Sequence, residues 1–192
     1  MLREKLKDFN IILASGSPRR QQFFKDLDIE FTIDVREVEE VYPNHLKEEQ
    51  ITDYLADLKS QVFNNLEEND LLITSDTIVW LNDIALGKPK NEQEAFDILK
   101  GLSNKTHKVI TSVSLKTKIN QKIFNDVTQV SFKELSDEEI KYYIKNYKPF
   151  DKAGAYGIQE WIGFIGIDKI EGSYFNVVGL PVHKLYKELM NL

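Results

Sequence analysis

Apolar runs of strand length alternate with segments of helical period along this chain, and that alternation restricts it to an α/β fold, expected as a single domain over residues 1–192. Phe9 to Ala14 reads as a buried strand that breaks at Ser15-Gly16-Ser17-Pro18. Ser17 is placed to cap a helix and Pro18 to occupy its first position. Glu30 to Val35 reads as a second strand, and Asp34 to Glu49 as an acidic, irregular connection. Ile51, Tyr54, Leu55, Leu58, Val62 and Leu66 share one helical face. Asp70 to Ser75 and Thr77 to Leu81 are two apolar strand runs in close succession. Asn91 with Glu94, and Ser136 with Glu139, have the form of capping boxes that open helices ending near Gly101 and Asn146. Val109 to Lys118 and Lys122 to Phe132 make a hairpin around Asn120, Trp161 to Ile170 reads as a strand, and Pro181 to Asn191 as a terminal helix.

Composition removes several function classes. Hydrophobic residues make up 42% of the chain and charged ones 29%, enough to bury a core. Thirty-one acidic residues against 25 basic ones give a formal charge of −6, and no concentrated basic patch interrupts it. Nucleic-acid and anionic-membrane partners are therefore not expected. The chain has no cysteine, which excludes disulfides, thiolate zinc sites and cysteine nucleophiles. His45, His107 and His183 stand singly, without ligand spacing, and read as structural or surface residues. Met1 to Asp8 lacks the apolar run of a secretory leader, and the apolar stretch Trp161 to Ile167 is too short to span a bilayer, so a cytoplasmic location is expected.

Five groups of residues carry chemistry, each with a plainer reading beside it. Ser15-Gly16-Ser17-Pro18-Arg19-Arg20 leads a strand into a helix N-terminus, where unpaired backbone N–H groups suit a phosphate and two arginines would otherwise face the positive end of the helix dipole. A capped helix with exposed arginines fits the same residues. Asp76 ends a buried strand, where it can hold Mg²⁺ or take a proton from water, or make a simple Asx turn. Lys88 sits in a Gly-Lys-Pro turn and Lys59 at the edge of a helix face, each placed to reach a site or to stay solvated. Asp34, Glu37, Glu39 and Glu40 form either a solvated acidic face or a hard-cation site. In Asp151-Lys152-Ala153-Gly154-Ala155-Tyr156-Gly157-Ile158-Gln159, small residues allow close backbone approach, and the Gln159 amide offers both a donor and an acceptor. Packing of a tight turn also accounts for that segment.

Taken in order, these segments, with Val38-Glu39-Glu40, Ser75-Asp76-Thr77, Gly87-Lys88-Pro89, Leu102 to Val109 and Val178-Gly179-Leu180-Pro181, resemble the Maf family across essentially the whole chain. The Ser-Asp-Thr and Tyr-Gly-Ile-Gln segments are similar to its dTTP/UTP branch rather than its 7-methyl-GTP branch. The resemblance implies the inosine-triphosphatase-like α/β fold, an elongated mixed sheet flanked by helices with a central cleft. It implies a nucleoside triphosphate pyrophosphatase that uses a divalent metal, Mg²⁺ or Mn²⁺, in cytoplasmic nucleotide-pool housecleaning, with an association to septum formation and with homodimerisation. By position, Asp76 matches the proton acceptor and, with Glu40, the metal ligands. Ser15, Ser17, Arg20, Lys59 and Lys88 match phosphate-binding positions, and Arg19, Thr77 and Gln159 those linked to substrate choice. Glu160-Trp161 departs from the glycine frequent after the Tyr-Gly-Ile-Gln segment, which opens an effect on base choice. The same reaction on another base, or a nucleotide-binding regulator of cell division with little catalysis, are the alternatives.

Overall fold

A computed structural model describes all 192 residues, and its longest buried element is the strand the sequence divides in two. Asp70–Leu81 runs unbroken as one 12-residue strand, because apolar and small hydroxyl residues are buried on both of its faces. In chain order the elements are α1 (Leu2–Lys5), β1 (Asn10–Leu13), α2 (Pro18–Asp26), β2 (Thr32–Ile33), α3 (Glu49–Gln61), β3 (Asp70–Leu81), β4 (Ile84–Leu86), α4 (Glu92–Leu102), β5 (Thr106–Lys116), β6 (Gln121–Phe132), α5 (Asp137–Tyr147), a 3₁₀ turn (Ala153–Ala155), α6 (Trp161–Gly166), β7 (Ile167–Glu171), α7 (Tyr174–Val178) and α8 (Val182–Met190). The strands form one mixed seven-stranded sheet in the order β2-β1-β3-β5-β6-β7, with β4 paired to β3. β1 pairs in parallel with β2 and β3, while β4 and β7 join their neighbours antiparallel.

The chain divides into two compact units. Unit 1 comprises Met1–Asp76, Thr111–Asp126 and Gly179–Leu192. Its core joins Leu13, Leu71 and Ile73 of the sheet to Phe24 of α2, Leu2 of α1, and Leu185 and Leu189 of α8. Leu185 and Leu189 are one helical turn apart and fully buried, each contributing about 2 kcal/mol of apolar burial that holds the terminal helix in place. The expected apolar face of α3 is buried at Ile51 and Leu55, and the buried face extends beyond it to small and hydroxyl residues. Thr52, Ala56 and Ser60, spaced four apart, are buried with no exposure, while Tyr54 is exposed and the helix stops before Leu66. Polar partners satisfy that face: Ser112 Oγ lies 2.6 Å from Thr52 Oγ1, and Gln121 Nε2 donates at 3.0 Å to Ser60 Oγ.

Unit 2 comprises Thr77–Ile110 and Val127–Val178. Ala95, Leu99 and Leu102 of α4 and Ile140, Tyr143 and Ile144 of α5 share its core with Val79, Val109, Val130 and Ile162. The Ser136–Glu139 box closes reciprocally, whereas Asn91 is capped by the Glu94 amide while the Glu94 carboxylate accepts from Lys90 instead. Trp161 to Gly166, expected as the start of a strand, is a helix; burial of Ile162 and Gly166 and exposure of Phe164 give it helical period, which a short apolar run leaves ambiguous. The β strand begins only at Ile167. No helix is long and apolar enough to cross a membrane.

His107 is a core residue of unit 2, with Nε2 2.8 Å from the Tyr156 hydroxyl and its ring edge-on to Phe132. Burial pushes its pKa down to about 4, so the folded state keeps the ring neutral while an unfolded chain protonates it near 6.5. As pH falls from 6.5 to 4 the unfolded state takes up the extra proton, and stability declines by roughly 3 kcal/mol from this group. Chemical denaturation of wild type and His107→Phe across that window should show the steeper decline only in wild type; parallel curves would remove His107 as the source.

Candidate active site

β1 delivers Ser15 straight from the core, with the Ala14 amide still bonded to the Ile73 carbonyl at 2.9 Å. Ser15 is buried, and its Oγ accepts from the Ser17 amide at 3.3 Å. Ser17 stands at the N-cap of α2 with Pro18 behind it, yet its hydroxyl makes no capping bond, so the side-chain cap expected from the sequence is absent. A Cβ added at Gly16 would meet no atom of the chain within 4 Å. Arg19 is half-buried in the first turn. Arg20, rather than facing solvent, donates from Nε to the Gly179 carbonyl at 2.8 Å and from Nη1 to the Ser75 carbonyl at 2.9 Å. Burial lowers its pKa to about 10 against the attraction of Asp76 and Glu40, which leaves it cationic at neutral pH.

Asp76 lies on the opposite face of β3 from Ser75, toward α3. Lys59 Nζ is 2.6 Å from Asp76 Oδ1 and 2.9 Å from Glu40 Oε1, so one half-buried ammonium gathers a buried and a half-exposed carboxylate. Glu40 comes from the irregular segment after β2, which Arg36 ties down. That guanidinium donates to the Val62 carbonyl at 2.8 Å and to Asp34 at 3.0 Å, and stacks 4.0 Å over the Phe63 ring. Glu37 and Glu39 are exposed. No group of three or more His, Asp or Glu side chains converges as a metal cage. Two carboxylates are nonetheless the donor set that Mg²⁺ uses when substrate phosphates and water supply its remaining ligands.

Thr77, Lys88 and Gln159 belong to unit 2. Thr77 is half-buried in β3 and the Lys88 side chain is exposed. The turn carrying Lys88 is bonded to the segment carrying Gln159, the Gly154 amide donating to the Gly87 carbonyl at 3.1 Å. Gly154 has φ +72°, and a Cβ there would come 2.6 Å from Val79 Cγ2, so no other residue fits. Gln159 Oε1 is buried without a hydrogen-bond partner. The two departures from the expected pattern are accounted for by packing. Glu160 accepts from the Tyr143 hydroxyl and pairs with Lys152 at 3.1 Å, and Trp161 packs on Tyr142 with ring centroids 4.7 Å apart.

A family model described as Maf-like protein matches residues 10–192. The chain belongs to that family. Among its relatives, a dTTP/UTP pyrophosphatase of Flavobacterium johnsoniae is 61% identical, the match covering 100% of both chains. Those so named in Phocaeicola vulgatus and Bacteroides thetaiotaomicron are 53% and 45% identical, over 98% and 97% of this chain and 99% and 98% of theirs. The solved structure of a HAM1 protein from Coxiella burnetii aligns with TM-score 0.51 over 96% of this chain and all of its own, at 15% identity, which speaks to the inosine-triphosphatase-like fold alone.

In this Maf-like chain the contacts that aim the candidate ionic residues come from residues outside the motifs or from backbone groups. Arg36, Ser75 and Tyr143 hold site segments through backbone carbonyls, amides and ring stacking, contacts with no motif of their own. Arg20→Lys keeps the charge but cannot reach both the Gly179 and Ser75 carbonyls. Losing one should cost about 1–3 kcal/mol. Thermal unfolding should register that loss as a drop of about 2–4 °C per kcal/mol. An unshifted midpoint would mean the two carbonyl contacts carry no stability.

Proposed function

We propose that the chain is a nucleoside triphosphate pyrophosphatase that hydrolyses dTTP and UTP to the monophosphate and pyrophosphate in cytoplasmic housecleaning of nucleotide pools. The convergence of Glu40 and Asp76 on Lys59 carries the reading, because a pure binding protein needs no pair of acids beside its phosphate contacts. Full-length relatives named dTTP/UTP pyrophosphatase narrow the substrate.

In this reading water attacks the α-phosphorus, the α–β bridging P–O bond breaks, and pyrophosphate leaves with that bonding pair. Asp76 accepts the proton of the attacking water, and Lys59 keeps its carboxylate aimed. Ser15, Ser17, Arg20 and Lys59 of unit 1 neutralise and align the triphosphate, which is most of what phosphoryl transfer asks of a protein, and Lys88 of unit 2 matches a phosphate-binding position of the family. Glu40 and Asp76 would hold a Mg²⁺ or Mn²⁺ ion, which would add charge neutralisation at the phosphates. The open space over Gly16 supports an approach of phosphate to the loop backbone. Gln159, with Arg19 and Thr77, sets substrate choice. Its buried, unpartnered Oε1 suits the N3–H that uracil and thymine carry and cytosine lacks.

Pyrophosphate release from a panel of canonical and modified triphosphates, with Mg²⁺ or Mn²⁺ and an EDTA control, tests the reaction. Metal-dependent release fastest on dTTP and UTP is expected, and no release from any nucleotide would move the reading to a nucleotide-binding regulator. Asp76→Asn should lower kcat by about 10²–10⁴-fold with triphosphate affinity kept within a few-fold. Equal loss of binding and turnover would remove Asp76 as the base.

A further inference from the structure

Gln159 sits in a closed turn: the Glu160 amide donates to the Gly157 carbonyl at 3.0 Å, leaving Gln159 at its third position. One buried phenol closes the turn a second time. Tyr143, fully buried in α5, accepts from the Gly157 amide at 3.0 Å and donates to Glu160 Oε2. The other Glu160 oxygen pairs with Lys152 Nζ at 3.1 Å, and the same ammonium reaches Asp151 Oδ1 at 2.7 Å. The fit is tight, since a Cβ at Gly157 would lie 2.8 Å from Glu160 Cδ. The bare Gly157 backbone lets the carboxylate lie flat against the turn. Burial and the neighbouring Glu160 both push the Tyr143 pKa up, so the phenol stays a donor throughout the working range of pH. Between these fixed ends, Gln159 Oε1 is the buried acceptor left without a partner.

We infer that Tyr143 and Glu160 are positioning residues for base selection, a latch that holds the Gly157–Glu160 turn so that the Gln159 amide meets the base in one orientation. The inference rests on the pyrophosphatase reading and on Gln159 as a base reader. An amide selects a base only while its acceptor is held within a few tenths of an ångström, and a long side chain on a free turn would rotate to suit either pyrimidine. Lys152 pairs with Glu160, so the latch carboxylate is not left as a bare anion beside the reader.

The test compares wild type, Tyr143→Phe, Glu160→Gln and Glu160→Ala by pyrophosphate release from UTP and CTP, with Gln159→Ala as reference. Tyr143→Phe keeps the ring in the core and removes only the hydroxyl. It should lower the ratio of kcat/KM for UTP over CTP at least tenfold, chiefly through KM for UTP, with kcat for UTP within about threefold of wild type. Glu160→Ala should match it, while Glu160→Gln, which still accepts from Tyr143, should keep the ratio within about threefold. A ratio unchanged in Tyr143→Phe and Glu160→Ala, with activity on both bases reduced alike, overturns the latch and leaves the pyrophosphatase reading intact. A wild type that releases no pyrophosphate from either nucleotide overturns both, so the two failures are told apart by the wild-type control.

Discussion

A carboxylate in the middle of a buried strand has to be paired, and the arrangement of unit 1 follows from that requirement. Asp76 is almost wholly buried in β3, six residues along a run in which Leu71, Leu72, Ile73 and Thr74 have no exposure at all. An unpaired charge there would cost several kcal/mol, more than most single contacts return. Lys59 answers it at 2.6 Å, and Lys59 reaches Asp76 because α3 is rotated to set Thr52, Ala56 and Ser60 against the sheet. The Thr74 hydroxyl, bonded to the Ala56 carbonyl, fixes the same helix face to the strand that carries the acid. The pairing, the helix rotation and the polar layer beneath α3 are one structural decision.

That decision marks the limit of what the sequence discloses. The two apolar halves of β3, the two β-strands of the hairpin, the Ser136 box and the terminal helix are visible as periodicity and capping residues, since apolar spacing and short polar signals encode them locally, while the continuity of β3 through Asp76 is not. The extension of the buried α3 face to Thr52 and Ser60 is not visible either, because threonine and serine face inward there only where Ser112 and Gln121 supply partners some sixty residues away in the chain. Hydrophobicity alone finds Ile51 and Leu55 on the buried face and adds Tyr54, which is exposed. The same limit explains α6, where a six-residue apolar run with glycines satisfies both periods and packing in the core of unit 2 decides.

The ionic residues of the candidate site stand out by type and spacing, while the contacts each one makes are not encoded by spacing. Arg20 reads as one of two arginines misplaced at a positive helix end. The carbonyls of Ser75 and Gly179 resolve that misplacement, turning the guanidinium into a strap between the β1–α2 loop, the middle of β3 and the start of the C-terminal segment. Its position within reach of Asp76 and Glu40 offsets part of what burial costs it. Of the acidic run, Glu40 turns to Lys59 while Arg36 stakes the segment to Val62 and Phe63, so a stretch without regular structure still presents one oxygen at a fixed place.

Unit 2 solves a similar problem with neutral groups. Its Gln159 segment is pinned at Gly154 to the Lys88 turn, at Tyr156 to His107, and at Gly157 and Glu160 to Tyr143. Two of those anchors are residues that must stay in one protonation state to work, a neutral imidazole and a protonated phenol, and burial drives both toward that state. Burial thus does for the segment what the Lys59 ammonium does for Asp76, holding a polar group in a single form and a single direction. The cost is borne by the acid limb of stability, where protonation of His107 favours the unfolded chain. A segment pinned at three points and left with one free buried acceptor has little freedom except in the side chain that carries that acceptor, and that is the condition a reader of small chemical differences requires.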